Sequence, residues 1–301
     1  MNLMKLLVTI SMLVFSTASL ALTLIVPYPP GGSPDIAARR LAEYFARQGI
    51  ITVVQNIAGA ESIIGTNRVS QSPADGSVLY VVTSTVNLKI AERSHQLDPR
   101  AQGIKPVALF AQTPLFFVVK EDSTINSLSD LRDQINLKKV PPVFASSGGI
   151  LEMMMKRVSA YLGIQDLIYV PYRGTTAGLI DVIGGSATVS MINGLEATEP
   201  YLKSRKLKVI AVGSERRNVL LPDVSTVSET IPDATFSLYI GVLAPPDTPA
   251  EIIHKYNKLI NQYLSDPDIQ STMNNYYEVQ NLTPDEFGKL INKELSPYIT
   301  K

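Results

Sequence analysis

The stretch Leu22-Thr23-Leu24-Ile25-Val26-Pro27-Tyr28-Pro29-Pro30-Gly31-Gly32-Ser33-Pro34-Asp35-Ile36-Ala37-Ala38-Arg39 decides the fold. It opens on a short apolar run of strand length and then breaks at a proline- and glycine-rich turn. A helix signal follows at once. Ser33 is a good N-cap, Pro34 suits the first helical position, and Asp35 favours the positive end of the helix dipole. Ile36, Ala37, Leu41, Tyr44 and Phe45 recur at helical spacing, and Gly49 is a natural stop. Residues 50–55 then read as a strand, 56–65 as a turn-rich link into a short helix ending near Gln71, and 77–83 as a buried strand. Strands alternating with helices imply parallel pairing through crossover helices.

The alternation continues. Strand-like runs lie at 107–109, 114–119, 142–145, 166–171, 187–192, 207–212 and 236–243. Helical patterns lie at 127–135, 150–162, 175–183 and 249–264, and Thr283-Pro284-Asp285-Glu286 is a capping box with proline at N1. Two strands are candidates to cross between lobes, 114–119 outward and 236–243 back. The expected layout is α/β with two lobes, each a mostly parallel sheet flanked by helices. Residues 22–118 with 243–301 would make a discontinuous first lobe, and 119–242 an inserted second one.

The 301 residues suit one large domain or two lobes. Lys+Arg and Asp+Glu both number 27, so no basic excess exists to neutralise phosphates, and nucleic acid is not an expected partner. There is no cysteine, which removes disulfides, thiol nucleophiles and zinc–thiolate sites together. His95 and His254, the two histidines, both fall in polar surroundings. The start of the chain reads as a leader. Lys5 precedes the apolar run 6–15, and small residues end at Ala18-Ser19-Leu20-Ala21, so cleavage is expected after Ala21 with export to the periplasm.

Four glycine- or hydroxyl-rich turns each follow a strand and precede a helix: Pro30-Gly31-Gly32-Ser33, Ser84-Thr85, Ser146-Ser147-Gly148-Gly149 and Arg173-Gly174-Thr175-Thr176. Ligands of parallel sheets bind beyond the carboxyl ends of the strands, and helix N-termini suit anions. Two such turns facing each other would hold a carboxylate without a buried cation; each taken alone is equally a plain helix cap. Arg173 reads as a carboxylate fork or a rim charge, and Asp35 as a pocket acceptor or a partner of the helix dipole. Met153, Met154 and Met155 fit core packing better than a ligand surface. No nucleophile elbow, P-loop, dinucleotide fingerprint or zinc-protease motif occurs. An enzyme is therefore not expected, nor is a metal or cofactor.

At these turns the chain resembles the Bug family, the substrate-binding proteins of tripartite tricarboxylate transporters. The residues from Leu24 to Arg39 are similar to the family's opening. Val54-Gln55-Asn56 with Gly59-Ala60 and Gly65, Asp75-Gly76, Val170-Pro171-Tyr172-Arg173-Gly174, Asp181 with Gly184-Gly185, Leu221-Pro222-Asp223 and Ala244-Pro245-Pro246-Asp247-Thr248-Pro249 follow in the family's order. The resemblance implies a periplasmic-binding-protein-like fold that closes on a small organic carboxylate and delivers it, as a monomer, to membrane permease subunits. It implies ligand contacts at Tyr28, Pro30, Gly31, Gly32, Ser33 and Asp35 from the first lobe, with Ser84. From the second it implies Ser146, Ser147, Gly148, Arg173, Gly174, Thr175 and Thr176. A ligand-gated sensor would carry the same sequence features, and a serine hydrolase would lack its base. The second-lobe loop departs from the family: Ile150-Leu151 replace a Gly-Ser pair and Met154 a histidine. An apolar wall there would favour an acid with an apolar tail over citrate-like ligands.

Overall fold

The computed structural model describes residues 21–295, apart from 92–94, 147–148, 173, 196–197, 215, 233, 235 and 275; the leader therefore lies outside the described residues. Strand β1 (Leu22–Val26) leads through the Pro/Gly turn into helix α1 (Ser33–Arg47). β2 (Thr52–Asn56), α2 (Ile63–Ser70), β3 (Val78–Thr83) and α3 (Ser84–Ala91) follow. β1 pairs in parallel with both β2 and β3, as crossover helices require.

β4 (Lys105–Lys120) is one strand of 16 residues where the sequence reads as two. The middle of the chain continues with α4 (Leu128–Asn136), β5 (Val143–Ser146), α5 (Gly149–Leu162), β6 (Ile168–Pro171), α6 (Thr175–Gly184), β7 (Val189–Asn193), α7 (Glu199–Lys203) and β8 (Leu207–Val212). β9 (Ser237–Ala244) returns to the first sheet, and α8 (Ala250–Leu264), α9 (Pro267–Met273) and α10 (Pro284–Leu295) finish the fold.

The strand order is β2-β1-β3-β9-β4-β7-β5-β6, with β8 also on β4. Two parallel trios, β2-β1-β3 and β7-β5-β6, are thus joined by antiparallel crossing strands. The sheet is mixed, and the parallel pairs among its described strands are those of the two trios. β4 faces β9 from Lys105 to Pro114, then changes partners and pairs from Leu115 onward with β7 and from Phe116 with β8. This is a two-lobe α/β fold with two crossings.

The inner strands are covered on both sides, so they are apolar at successive positions, whereas edge strand β2 alternates partly buried and exposed residues. In β1, Leu24 and Val26 pack on the α1 and α8 side with Leu41, Phe45 and Ile260, while Ile25 packs on the other with Tyr80, Tyr239 and Phe287. In β4, Leu115, Phe117 and Val119 meet α4 and α5, and Phe116 and Val118 meet α6. Met154 and Met155 are buried in that core, with Met153 packed against it. Among the described residues no helix is long and apolar enough to cross a membrane.

Candidate functional site

Two helix starts share one cavity between the lobes. α1 begins at Ser33 with Gly32 at its N-cap, and α6 begins at Thr175 with Gly174 at its N-cap; no side chain caps either. The first N–H groups of a helix have no partner within it and sit at the positive end of its dipole. Gly32, Ser33, Gly174, Thr175 and Thr176 line a cavity of about 360 Å³ together with Tyr28, Pro29, Pro30 and Pro34. Ser33 is the first helical residue, one position inside the expected cap. Its hydroxyl is thereby released to donate across the cleft to the Asn193 carbonyl at 2.5 Å.

The first-lobe loop owes its shape to Asp35. Gly31 has φ of +90°, and its N–H donates to Asp35 Oδ2 at 2.9 Å. Asp35 also accepts from Arg39 Nε at 2.9 Å and Nη2 at 3.1 Å, and from Asn56 Nδ2 at 2.9 Å. The same Asn56 amide donates to the Tyr28 carbonyl at 3.0 Å. Burial pushes the Asp35 carboxyl up, but the Arg39 guanidinium, the Gly31 N–H and the Asn56 amide outweigh it and hold the group below its ordinary value. Tyr28 shares a hydrogen bond of 2.8 Å with Thr83 Oγ1, and burial keeps its phenol protonated.

On the facing wall, Gly174 has φ of +110°, and a Cβ there would stand 3.4 Å from Pro29 Cδ of the other lobe. Tyr172 hydroxyl donates to the Asp181 carboxylate on α6 and so ties the loop to its helix. Away from the cavity the Tyr276 hydroxyl donates to Glu199 Oε1 at 3.0 Å, another bond between lobes.

The structure brings Tyr28, Pro30, Gly32, Ser33, Gly174, Thr175 and Thr176 to the cavity wall. It does not bring Gly31, Asp35, Ser84 or Ser146 there. Gly31 and Asp35 satisfy each other, Ser84 is buried and its hydroxyl accepts from the Tyr239 N–H at 3.1 Å, and Ser146 is buried under the Tyr172 N–H, which its carbonyl accepts at 2.7 Å. Ser147, Gly148 and Arg173 lie outside the described residues. Of the altered second-lobe loop, Leu151 lines the cavity while Ile150 and Met154 pack in the core.

Thr85, of the Ser84-Thr85 turn, lines the cavity, and Thr83, Ala177, Ile180, Asn193 and Leu238 join the lining without having been singled out in the sequence. Thr83 and Thr85 flank Ser84 by one residue. Ile180 lies one turn beyond Thr176, so helical spacing carries it to the same face. Asn193 ends a parallel strand, where the carboxyl-end rule points. Leu238, on a crossing strand, has no local signal.

A second chamber of about 180 Å³ adjoins the first through the shared Tyr28, Pro29, Thr85 and Gly174, and Glu61 lines it. Ala60, Glu61 and Ser62 have φ of 45°, 50° and 76°, three consecutive left-handed residues that are not glycine. The Glu61 carboxylate receives Lys89 Nζ at 2.8 Å. Among the described residues no group of three metal-ligating side chains is placed to hold an ion.

The sequence profile of the tripartite tricarboxylate transporter family receptors matches residues 37–298. BugT of Bordetella pertussis is 31% identical over 251 residues, covering 80% of this chain and 75% of BugT. A solved structure of a periplasmic transporter has a TM-score of 0.84 at 26% identity, over 92% of this chain and 94% of that one. MatC from Rhodopseudomonas palustris with bound malate has a TM-score of 0.81 at 23% identity, over 92% and 97%. These likenesses are to substrate-binding proteins rather than enzymes. The chain, with its two uncapped helix starts facing each other across a cleft, belongs to the tripartite tricarboxylate transporter receptor family.

Proposed function

We propose that the protein is an extracytoplasmic receptor that captures a small organic carboxylate between its lobes and delivers it to the membrane permease subunits of a tripartite transporter. The observation that carries this reading is the pair of uncapped helix N-termini, at Gly32–Ser33 and at Gly174–Thr175–Thr176, on one cavity. One carboxylate can accept from both, and a ligand shared by two lobes favours the closed arrangement. Malate in the like-folded MatC supports the ligand class. The lobes are residues 22–118 with 243–301, and 119–242; β4 changes partners within a few residues of the first boundary, and β9, which joins β3 and β4 of the first sheet from Ser237 onward, carries the chain back near the second. The receptor is exported with its leader cut after Ala21, works as a monomer in the periplasm, and uses no catalysis, metal or cofactor.

Charge-assisted hydrogen bonds contribute roughly 1.5–3 kcal/mol each. A Gly32→Pro, Thr175→Val double variant removes one N–H and one hydroxyl from the two turns. Calorimetry on a panel of carboxylates should find binding weakened by about two to four orders of magnitude in that variant, at roughly 1.4 kcal/mol per tenfold. Unchanged affinity would remove the carboxylate seat from these turns.

A further inference from the structure

Ser237 and Leu238 are neighbours on the returning strand β9, and successive side chains of a strand point to opposite faces. In the β4–β9 ladder Leu238 stands opposite Thr113, and Ser237 opposite Pro114; residues paired in this way share a face. Leu238 lines the cavity between the two helix starts. Ser237 and Pro114 line a different cavity, of about 500 Å³, which therefore lies behind the crossing strands. Both cavities are walled by both lobes. The rear one takes Ser214, Arg216 and Val219 from the second lobe and Asn274, Tyr277 and Glu278 from the first.

In front, the lobes already meet. The Ser33 hydroxyl is 2.5 Å from the Asn193 carbonyl, and a Cβ on Gly174 would stand 3.4 Å from Pro29 Cδ. Behind, a gap remains between the same two lobes. The crossing strands are the hinge, because through them the chain passes from one lobe to the other. Rotation about a hinge with a gap on each face widens one gap as it narrows the other. We infer that the rear cavity is the counterpart of the ligand cleft. It shuts as the cleft opens, and the side chains that face each other across it, Arg216 and Glu278 above all, set the balance of open and closed arrangements before any ligand binds.

The chemistry of the two walls suits that role. Arg216 brings a guanidinium from the second lobe and Glu278 a carboxylate from the first, and both are exposed. Among the described ion pairs none joins these two in the present arrangement. Arg217, next in the chain, donates to Glu229 through Nε at 2.8 Å and Nη2 at 2.7 Å, which braces that wall within its own lobe. Opening the cleft brings the walls together, and opposite charges attract more strongly as they approach. Contacts in front are thus exchanged for contacts behind. A ligand held by both lobes binds the closed arrangement, so this balance scales its apparent affinity from a place the ligand does not touch. The inference needs only that the lobes move. It holds whichever acid they enclose, so its failure and that of the carboxylate reading are separate results.

The test is small-angle scattering on the protein dialysed free of small acids, with each profile fitted as a mixture of open and closed forms. In an Asn274→Trp variant a large ring occupies the rear cavity and keeps it from shutting. Its radius of gyration should fall below that of the wild type, to the value given by the closed arrangement described above. Arg216→Glu and Glu278→Arg each put like charges on the two walls, and each should lower the open-to-closed ratio by about two- to fivefold, the range of an exposed pair. The double variant Arg216→Glu, Glu278→Arg restores opposite charges and should return to the wild-type ratio. An Asn274→Trp radius equal to or larger than that of the wild type would overturn the reciprocal hinge. Single reversals without effect, or a double variant that stays with the singles, would remove Arg216 and Glu278 from the balance. Circular dichroism checks that each variant folds; should Asn274→Trp not fold, Val219→Trp places the ring on the opposite wall with the same expected result.

Discussion

Gly174 joins two requirements at one atom. Its φ of +110° lies where a side chain is strained, and the place a Cβ would occupy is already 3.4 Å from Pro29 Cδ across the cleft. Alanine at this position would therefore cost about 1–3 kcal/mol of backbone strain, some of it borne only when the lobes approach. The Gly174→Ala variant should bind the cognate acid about tenfold more weakly while losing little helix content, as read by calorimetry and circular dichroism. Ser33 illustrates how much a single position matters. Had it capped α1 as its residue type suggests, its hydroxyl would be engaged within its own helix. Moved one place inward, it instead reaches the Asn193 carbonyl of the other lobe.

At the scale of elements, Asp35 binds a turn, a helix and a strand together through Gly31, Arg39 and Asn56. Its carboxyl is depressed in the folded state, so its contribution is complete above the ordinary value of 3.8 and is lost as pH falls through the lower folded value. Asp35→Asn should lower stability at neutral pH by about 1–3 kcal/mol, and the difference from wild type should shrink as the medium is acidified. Urea titrations at pH 7 and near pH 3 would measure both.

Most elements were legible in the sequence because caps, prolines and apolar spacing mark their ends. The misreadings have physical causes. β4 reads as two strands, 107–109 and 114–119, because the polar Gln112 and Thr113 break the apolar run; in the fold this stretch is continuous strand on β9, and Pro114 is tolerated where the strand exchanges one partner for another. α7 has five residues, too few for a period to show. At the site, the glycine turns were legible because backbone conformation demands particular residues there. Leu238 and Asn193 were not, since only the packing of distant segments brings them to the cavity.

For the whole molecule, the hydrogen bonds that reach across the cleft among the described residues include Ser33 to Asn193 and Tyr276 to Glu199, and neither of these involves two charged groups. A neutral hydrogen bond exchanged with water contributes only about 0.5–1.5 kcal/mol, and one to a carboxylate about 1.5–3 kcal/mol. The protein alone should therefore populate open as well as closed arrangements, and a bridging ligand should shift it toward the closed one. Small-angle scattering should show a smaller radius of gyration on saturation with the cognate acid. No change in radius at saturation would count against closure.

The strand order also governs the timing of assembly. Tyr80 of β3 pairs with Leu243 of β9, so the inner neighbour of the first parallel trio is made long after the trio itself. At about 5–20 residues per second, a ribosome needs roughly 8–30 s to travel between those two positions. Until then β3 has an unsatisfied edge, and closing so long a loop is entropically slow. The intervening lobe, contiguous in sequence, can complete its own pairings first. The first lobe, begun before the second, is thus the one completed last.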